Sequence, residues 1–447
     1  MNGSSQQYID LFASNRNDIN RFACETLNRH REAAFKTFMA KGLPSKKCER
    51  YRYTNTDDAF APDYGLNVRR VEFPVNPYEA FRCNVPNMST LLYFVENDSF
   101  YNKLLPHTPL PTGAFVGSMA DFEAAHPQEA RKYYGSAALS SKDAITALNT
   151  MMAQDCLVVY IPDGVKAERT IQVVNILRSD VDLMANRRVL VIAGEESRVS
   201  LLFCDHNADD RNFLTTEVTE VIAGKNSEVE LYSLEQTLLR NRRFANCYIR
   251  QSEGSRVTVN SMTLHGGLTR NQTNVTLEGN GAETNLYGFA LANGQQHVDN
   301  YALIDHAVGG CRSNVLYKYV VDGNSTGAFA GKVLVREGAE KTESQETNAN
   351  LCVSPDARMY SQPMLEIYAD DVTCNHGSTV GQLDDTAMFY MEQRGIPEHE
   401  ARLLLEYAFV DEVLAHIALV PLKDRIARLV EKRFRGEITA CTNCNAC

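Results

Sequence analysis

The sequence lacks any uninterrupted apolar run of about 18 residues, so no membrane-spanning helix is expected. It also lacks an excess of basic residues. Its 45 Lys and Arg stand against 56 Asp and Glu, a formal charge of −11. That balance argues against broad binding to nucleic acid or to an anionic membrane, both of which need a basic surface. Residues 1–20 read MNGSSQQYIDLFASNRNDIN, with no apolar stretch, so no secretory signal is expected there. Phosphate-cradling loops are missing too. Gly327-Ala328-Phe329-Ala330-Gly331-Lys332-Val333 has its glycines one residue too close, no Ser or Thr after Lys332, and strand-like flanks. There is no GxSxG elbow, and His265-Gly266-Gly267 has no identifiable serine partner. These absences leave no convincing hydrolase or dehydrogenase.

What is present is a chain of 447 residues with 44% hydrophobic and 23% charged residues, ordinary globular values. That length suits two or three structural units around a large core. Twelve cysteines are scattered, mostly singly, inside apolar runs, as at Cys156, Cys204, Cys247 and Cys352. They read as reduced thiols rather than a disulfide framework, and the cytoplasm is the expected compartment.

Three regions follow from the patterning. Residues 1–155 form a mixed, largely helical region. Over 5–42, Tyr8, Leu11, Phe12, Ile19, Phe22, Ala23 and Leu27 recur at three- and four-residue steps, and Gly42 and Pro44 stop the helix. Further helices are expected over 122–134 and 142–153, and short strands near 91–95 and 114–116. Residues 156–384 read as strands without intervening helices: CLVVYIP, RTIQVVNIL, RRVLVIA, RVSLLFC and so on, with Gly, Asn, Asp and Ser turns between. That density excludes a doubly wound α/β layout. A weak repeat runs through it. Glu196–Leu201, Asn226–Leu231, Gly254–Val259 and Gly281–Leu286 resemble one another at spacings of about 27–30 residues. A corner followed by a strand suits a parallel β-helix; a large antiparallel sandwich with similar turns is the alternative. Residues 385–447 are helical again, over 386–394, 397–417 and 422–435, and end in a Cys-rich tail. Leu404, Leu405, Ala408, Val413 and Ile417 give the middle helix a broad apolar face, which either packs on the β body or receives another protein.

The chemistry-bearing stretch is Pro363–Asp384. Cys374 and His376 stand two positions apart, so on a strand they share a face. A thiolate beside an imidazole suits zinc, iron or an iron–sulfur cluster. Asp370 or Asp371 could orient the imidazole, or simply form a solvated turn. Buried or incidental residues are the plainer reading of the pair. Cys441, Cys444 and Cys447 make two overlapping CxxC steps, a metal-ligand spacing at the chain's last residues. Asp305-His306 and His297 with Asp299 are candidate acid–base pairs, or histidines satisfied in the core.

Leu365–Val372 running into Cys374-Asn375-His376-Gly377 and Thr379-Val380-Gly381 resembles the SufB/SufD family of iron–sulfur cluster assembly proteins, on its SufD side. Val298–Tyr301, Asp305-His306, Gly331–Val333, Gln345, Asn348 and Asn350 resemble it as well. So do Gly42–Pro44, Glu49, Tyr51, Tyr53 and Thr54. The resemblance spans about residues 40–420. It implies a mainly β fold, a right-handed parallel β-helix between helical ends. It implies a non-catalytic scaffold subunit in a complex with a SufB-like subunit and the SufC ATPase, the latter docking on the C-terminal helices. Iron or a nascent iron–sulfur cluster would be held transiently by Cys374 and His376 at the SufB interface. Reduced flavin is implied only for the complex, and the chain carries no flavin motif. The Cys-rich tail is not part of the family pattern.

The residues themselves agree with that implication. One Cys and one His make an incomplete ligand set, which suits an interface where a partner supplies the rest. A homodimer is expected when the partner is absent. Two rival readings are a β-helical carbohydrate-active enzyme, with paired carboxylates along one face, and a purely structural interaction module.

Overall fold

A computed structural model describes residues 3–71, 77, 90–103 and 105–437. Cys441, Cys444 and Cys447 lie outside the described residues. From Leu157 onward the chain alternates strictly between two sheets. Each strand pairs in parallel with the strand two places on, so every two strands complete one coil. The result is a parallel β-solenoid of about 8 turns, flanked by helices at both ends of the sequence. Among the described residues the two sheets have ten and nine strands. Leu91–Glu96 joins the first sheet in parallel, and Phe115–Ser118 joins the second antiparallel, so the segment before residue 156 also contributes strands.

The repeat seen in the sequence is the coil. Val199, Val229, Val257, Thr284, Ser313, Ser344 and Cys374 stack directly, 27 to 31 residues apart. Before the first six of them the chain turns a corner through a left-handed residue. Glu196, Asn226, Gly254, Gly281, Gly310 and Lys341 occupy that position, with φ between 53° and 71°. Half of them are glycine, which meets the requirement without strain. On the outside of the same corner Arg198, Glu228, Arg256, Glu283, Arg312 and Glu343 alternate in sign down the stack. Four of the five neighbouring pairs in this row are ion-paired, for example Arg312 to Glu343 at 3.2 Å. Each exposed pair is worth little alone, but a one-strand slip would put like charges together.

The lumen is filled by the inward rows of both sheets, with Val191, Val221, Ile249, Val275 and Ile304 facing Val199, Leu201, Leu231 and Val257. The outer faces are covered from opposite ends of the chain. Tyr8, Phe12, Phe38, Phe60, Leu148 and Met151 pack on Met184, Leu214 and Phe244 of the second sheet. Val410, Val413, Leu414, Ile426 and Val430 pack with Tyr232, Met262, Phe289 and Leu316 of the first. Of the apolar face expected on the middle helix, Val413 and Ile417 are buried against the β body, Leu405 is half-buried, and Leu404 and Ala408 stay exposed. The helical run expected over 5–42 is two helices, Gly3–Arg21 and Glu25–Lys41. The run over 122–134 likewise splits, into Met119–Ala125 and Pro127–Tyr133, with proline opening the second.

Candidate functional site at the open end of the solenoid

The last coil consists of Arg358–Ile367 and Val372–Gly381, ten residues each. Each is the terminal strand of its sheet and is bonded along one edge only. The solenoid is thus uncapped at this end. Inward side chains that would be covered in an earlier coil are open here: Val380 is 53% exposed and Ile367 39%.

Cys374 and His376 both belong to the inward row of this final strand. Cys374 stacks on buried Ser344 and packs against Val333, Val335 and Ala339, leaving it half-buried. Burial pushes its thiol above the ordinary cysteine value, partly offset by a backbone hydrogen bond from Ser344. His376, two residues nearer the middle of the strand, is exposed. The pair therefore shares one face at the rim of the lumen. Among the described residues no three His, Cys, Asp or Glu side chains stand at metal-binding geometry. Asp370 and Asp371 belong to the corner that precedes the strand. Their amides donate to Glu340, and the Asp371 carboxylate is ion-paired with Lys341. They are fixed as turn residues, six and five positions before His376.

One residue at this end escaped the sequence reading. Glu346 lies beneath His376 in the same inward row. It is fully buried, and neither carboxylate oxygen has a hydrogen-bond partner. Burial pushes the carboxyl up to about 8. The lumen holds a second acidic group further down. Asp205, Glu217 and Glu235 surround Arg187 and Arg243, with Arg187 Nη1 2.5 Å from Asp205 Oδ1.

The other candidates are structural. Thr54 donates to Asp299 at 2.5 Å and lies 3.2 Å from His297 Nε2, while Arg270 closes on Asp299 at 3.2 Å. The pair ties the N-terminal segment to the second sheet. Asp305 and His306 point to opposite faces. Asp305 accepts from Arg336 at 2.8 Å, and His306 Nε2 meets Ser313 Oγ at 2.9 Å inside the lumen. Gly327 and Gly331 lie on one strand, with Lys332 ion-paired to Glu366, so no phosphate loop forms. Tyr51 receives Arg270 over its ring at 5.1 Å, and Tyr53 stacks on Tyr360 at 4.6 Å.

The family model described as SUF system FeS cluster assembly, SufBD core domain, matches residues 176–409. The chain belongs to the SufBD family. A second model, SufBD protein N-terminal region, matches residues 2–173. An iron–sulfur cluster assembly SufBD family protein of Synechocystis is 28% identical over 409 residues, covering 88% of this chain and 87% of its own. Protein ABCI7, chloroplastic, of Arabidopsis thaliana is 26% identical over 412 residues, covering 89% and 84%. The iron–sulfur cluster assembly protein SufD of Escherichia coli is 30% identical over 285 residues, 64% of each chain. SufBD membership assigns the chain to iron–sulfur cluster assembly. Among the described residues no helix is long and apolar enough to cross a membrane.

Proposed function

We propose that this chain is a non-catalytic scaffold subunit of a SufBCD-type complex, and that its uncapped coil is where it meets a SufB-like subunit. The observation that carries this reading is the position of Cys374 and His376, together in the inward row of a last coil whose two edges are unpaired. An unpaired strand edge is a template for further strands, so a partner β-helix can continue the stack. It would cover Val380 and Ile367 and bring its own donors over the thiol and the imidazole. Ferrous iron or a nascent cluster is the cargo of this site. Binding it displaces the Cys374 thiol proton to solvent and leaves positions open for exchange. Reduced flavin is assigned to the assembled complex and not to this chain.

The SufC ATPase is assigned to the C-terminal helices. Asp385–Gln393 has no buried residue, and Phe389 and Tyr390 on it are 62% and 59% exposed. Exposed aromatics of this size suit an interface. A cytoplasmic setting with reduced thiols fits the free cysteines of the described chain. The carbohydrate-enzyme reading is disfavoured because the acidic cluster is tied up within the lumen: Asp205 and Glu217 pair with Arg243, and buried Glu235 accepts from Thr269 and Thr237. The test is co-expression with the ATPase and a SufB-like subunit. Cys374→Ser and His376→Ala should each lower cluster yield while the complex still co-purifies. Full cluster yield from the double variant would remove the proposed roles.

A further inference from the structure

The row that carries His376 is aliphatic for most of its length. Leu201, Leu231, Val259, Leu286 and Val315 stack in turn, and then Glu346 takes the place before His376. A carboxylate in such a row is costly unless something pairs with it. Asp205, Glu217 and Glu235, the other lumenal acids, each keep a bonded oxygen: Asp205 with Arg187 and Asn175, Glu217 with Arg243, Glu235 with Thr269 and Thr237. Glu346 has none. Its space is nevertheless reserved. Gly331 faces it across the lumen, and a Cβ there would lie 2.1 Å from Oε1. The fold thus gives room to a carboxyl and gives it nothing to bond.

We propose that Glu346 is a third donor of this chain, supplying a carboxylate oxygen to the ferrous ion held by Cys374 and His376. This rests on the role proposed above for those two residues. Strand spacing puts Glu346 about 4.8 Å below His376; its carboxyl is turned toward Gly331, so donation to a shared ion requires a side-chain rotation toward the rim. Thiolate, imidazole and carboxylate are all donors that ferrous iron accepts, and two of the three are anionic, which balances the ion's charge.

The test uses the full chain, alone and in complex with its SufB-like partner, titrated anaerobically with Co²⁺ as a spectroscopic stand-in for Fe²⁺. Wild type should show a thiolate-to-cobalt charge-transfer band. Glu346→Gln should keep that band and weaken Co²⁺ binding at least about tenfold. Glu346→Asp, which retains the oxygen on a shorter arm, should fall between the two. Thermal unfolding of the Gln variant at or above the wild-type temperature excludes misfolding as the cause. Unchanged Co²⁺ affinity in Glu346→Gln, with the band abolished by Cys374→Ser, would overturn the third donor and leave the two-residue site standing. Absence of any thiolate band in wild type, alone and in complex, would overturn both.

Discussion

Gly331 faces Glu346 across the lumen at a separation that admits no side chain, since a Cβ at 331 would stand 2.1 Å from Glu346 Oε1 and 2.5 Å from its carboxyl carbon. Gly331→Ala should therefore destabilise the fold by about 1–3 kcal/mol, the usual cost of overpacking. Glu346→Ala removes the obstructing group along with an unbonded carboxyl, so alone it should be close to neutral. Combined with Gly331→Ala it should recover most of the loss. Urea denaturation of the four proteins measures the coupling directly. Additive effects would mean that the two positions do not meet.

A second prediction concerns how the N-terminal region is held. Glu220 is fully buried, pairs with Arg188 at 2.7 Å, and accepts the backbone N–H groups of Gly135, Ala137 and Ala138 at 2.9–3.0 Å. Glu220→Gln leaves Arg188 as an uncompensated buried charge. The expected loss is about 3–5 kcal/mol. Proteolysis should then open the segment around residues 134–142 before the solenoid.

The third follows the docking of the C-terminal helices through pH. Glu406, on the helix Glu398–Leu414, is pushed up to about 7 by burial, with Arg402 opposing and Asp322 adding to the rise. Between the unfolded carboxyl value near 4.5 and the folded value near 7, the folded chain holds a proton that the unfolded chain releases. This group's contribution is thus fully present below about pH 4.5 and is lost as pH rises through 7. The difference between wild type and Glu406→Gln should shift by on the order of 2 kcal/mol between pH 4 and pH 8, with the variant the more stable at high pH. Thermal unfolding across that range measures it. A parallel pair of curves would contradict the assignment.

Much of the architecture was legible because a solenoid writes itself into sequence as a period. The corner residues Glu196, Asn226, Gly254 and Gly281 announce it, and the strand that follows each keeps its alternation. The last three coils were harder to align. Their inward positions turn polar, with Ser313, Ser344 and Cys374 continuing a row begun by valines, and their corners vary from Gly310 to Lys341. The strand Thr342–Cys352 has polar residues on both faces through most of its length, so its inward face cannot be read by hydrophobicity. That is why Glu346 escaped notice. Extending the repeat frame by two coils would have set it in register with Leu286 and Val315. The adjacent Cys374 and His376 were visible from residue type alone. The breaks at Phe22–Cys24 and near His126 interrupt otherwise continuous apolar spacing. The fate of the C-terminal apolar face depended on a sheet surface assembled from distant strands, which no local pattern reveals.

A barrel finishes its own sheets, whereas a stack of coils never does. The rim around Cys374 and His376 ends on backbone groups that would accept another strand on the same terms as every strand before it. Those bonds do not discriminate between neighbours. Selection of the right one falls to the few side chains at the mouth, and a copy of the same chain is the nearest competitor. Under the proposed role, abundance of the SufB-like subunit, as much as affinity, would decide how many of these molecules stand ready for cargo and how many pair with each other.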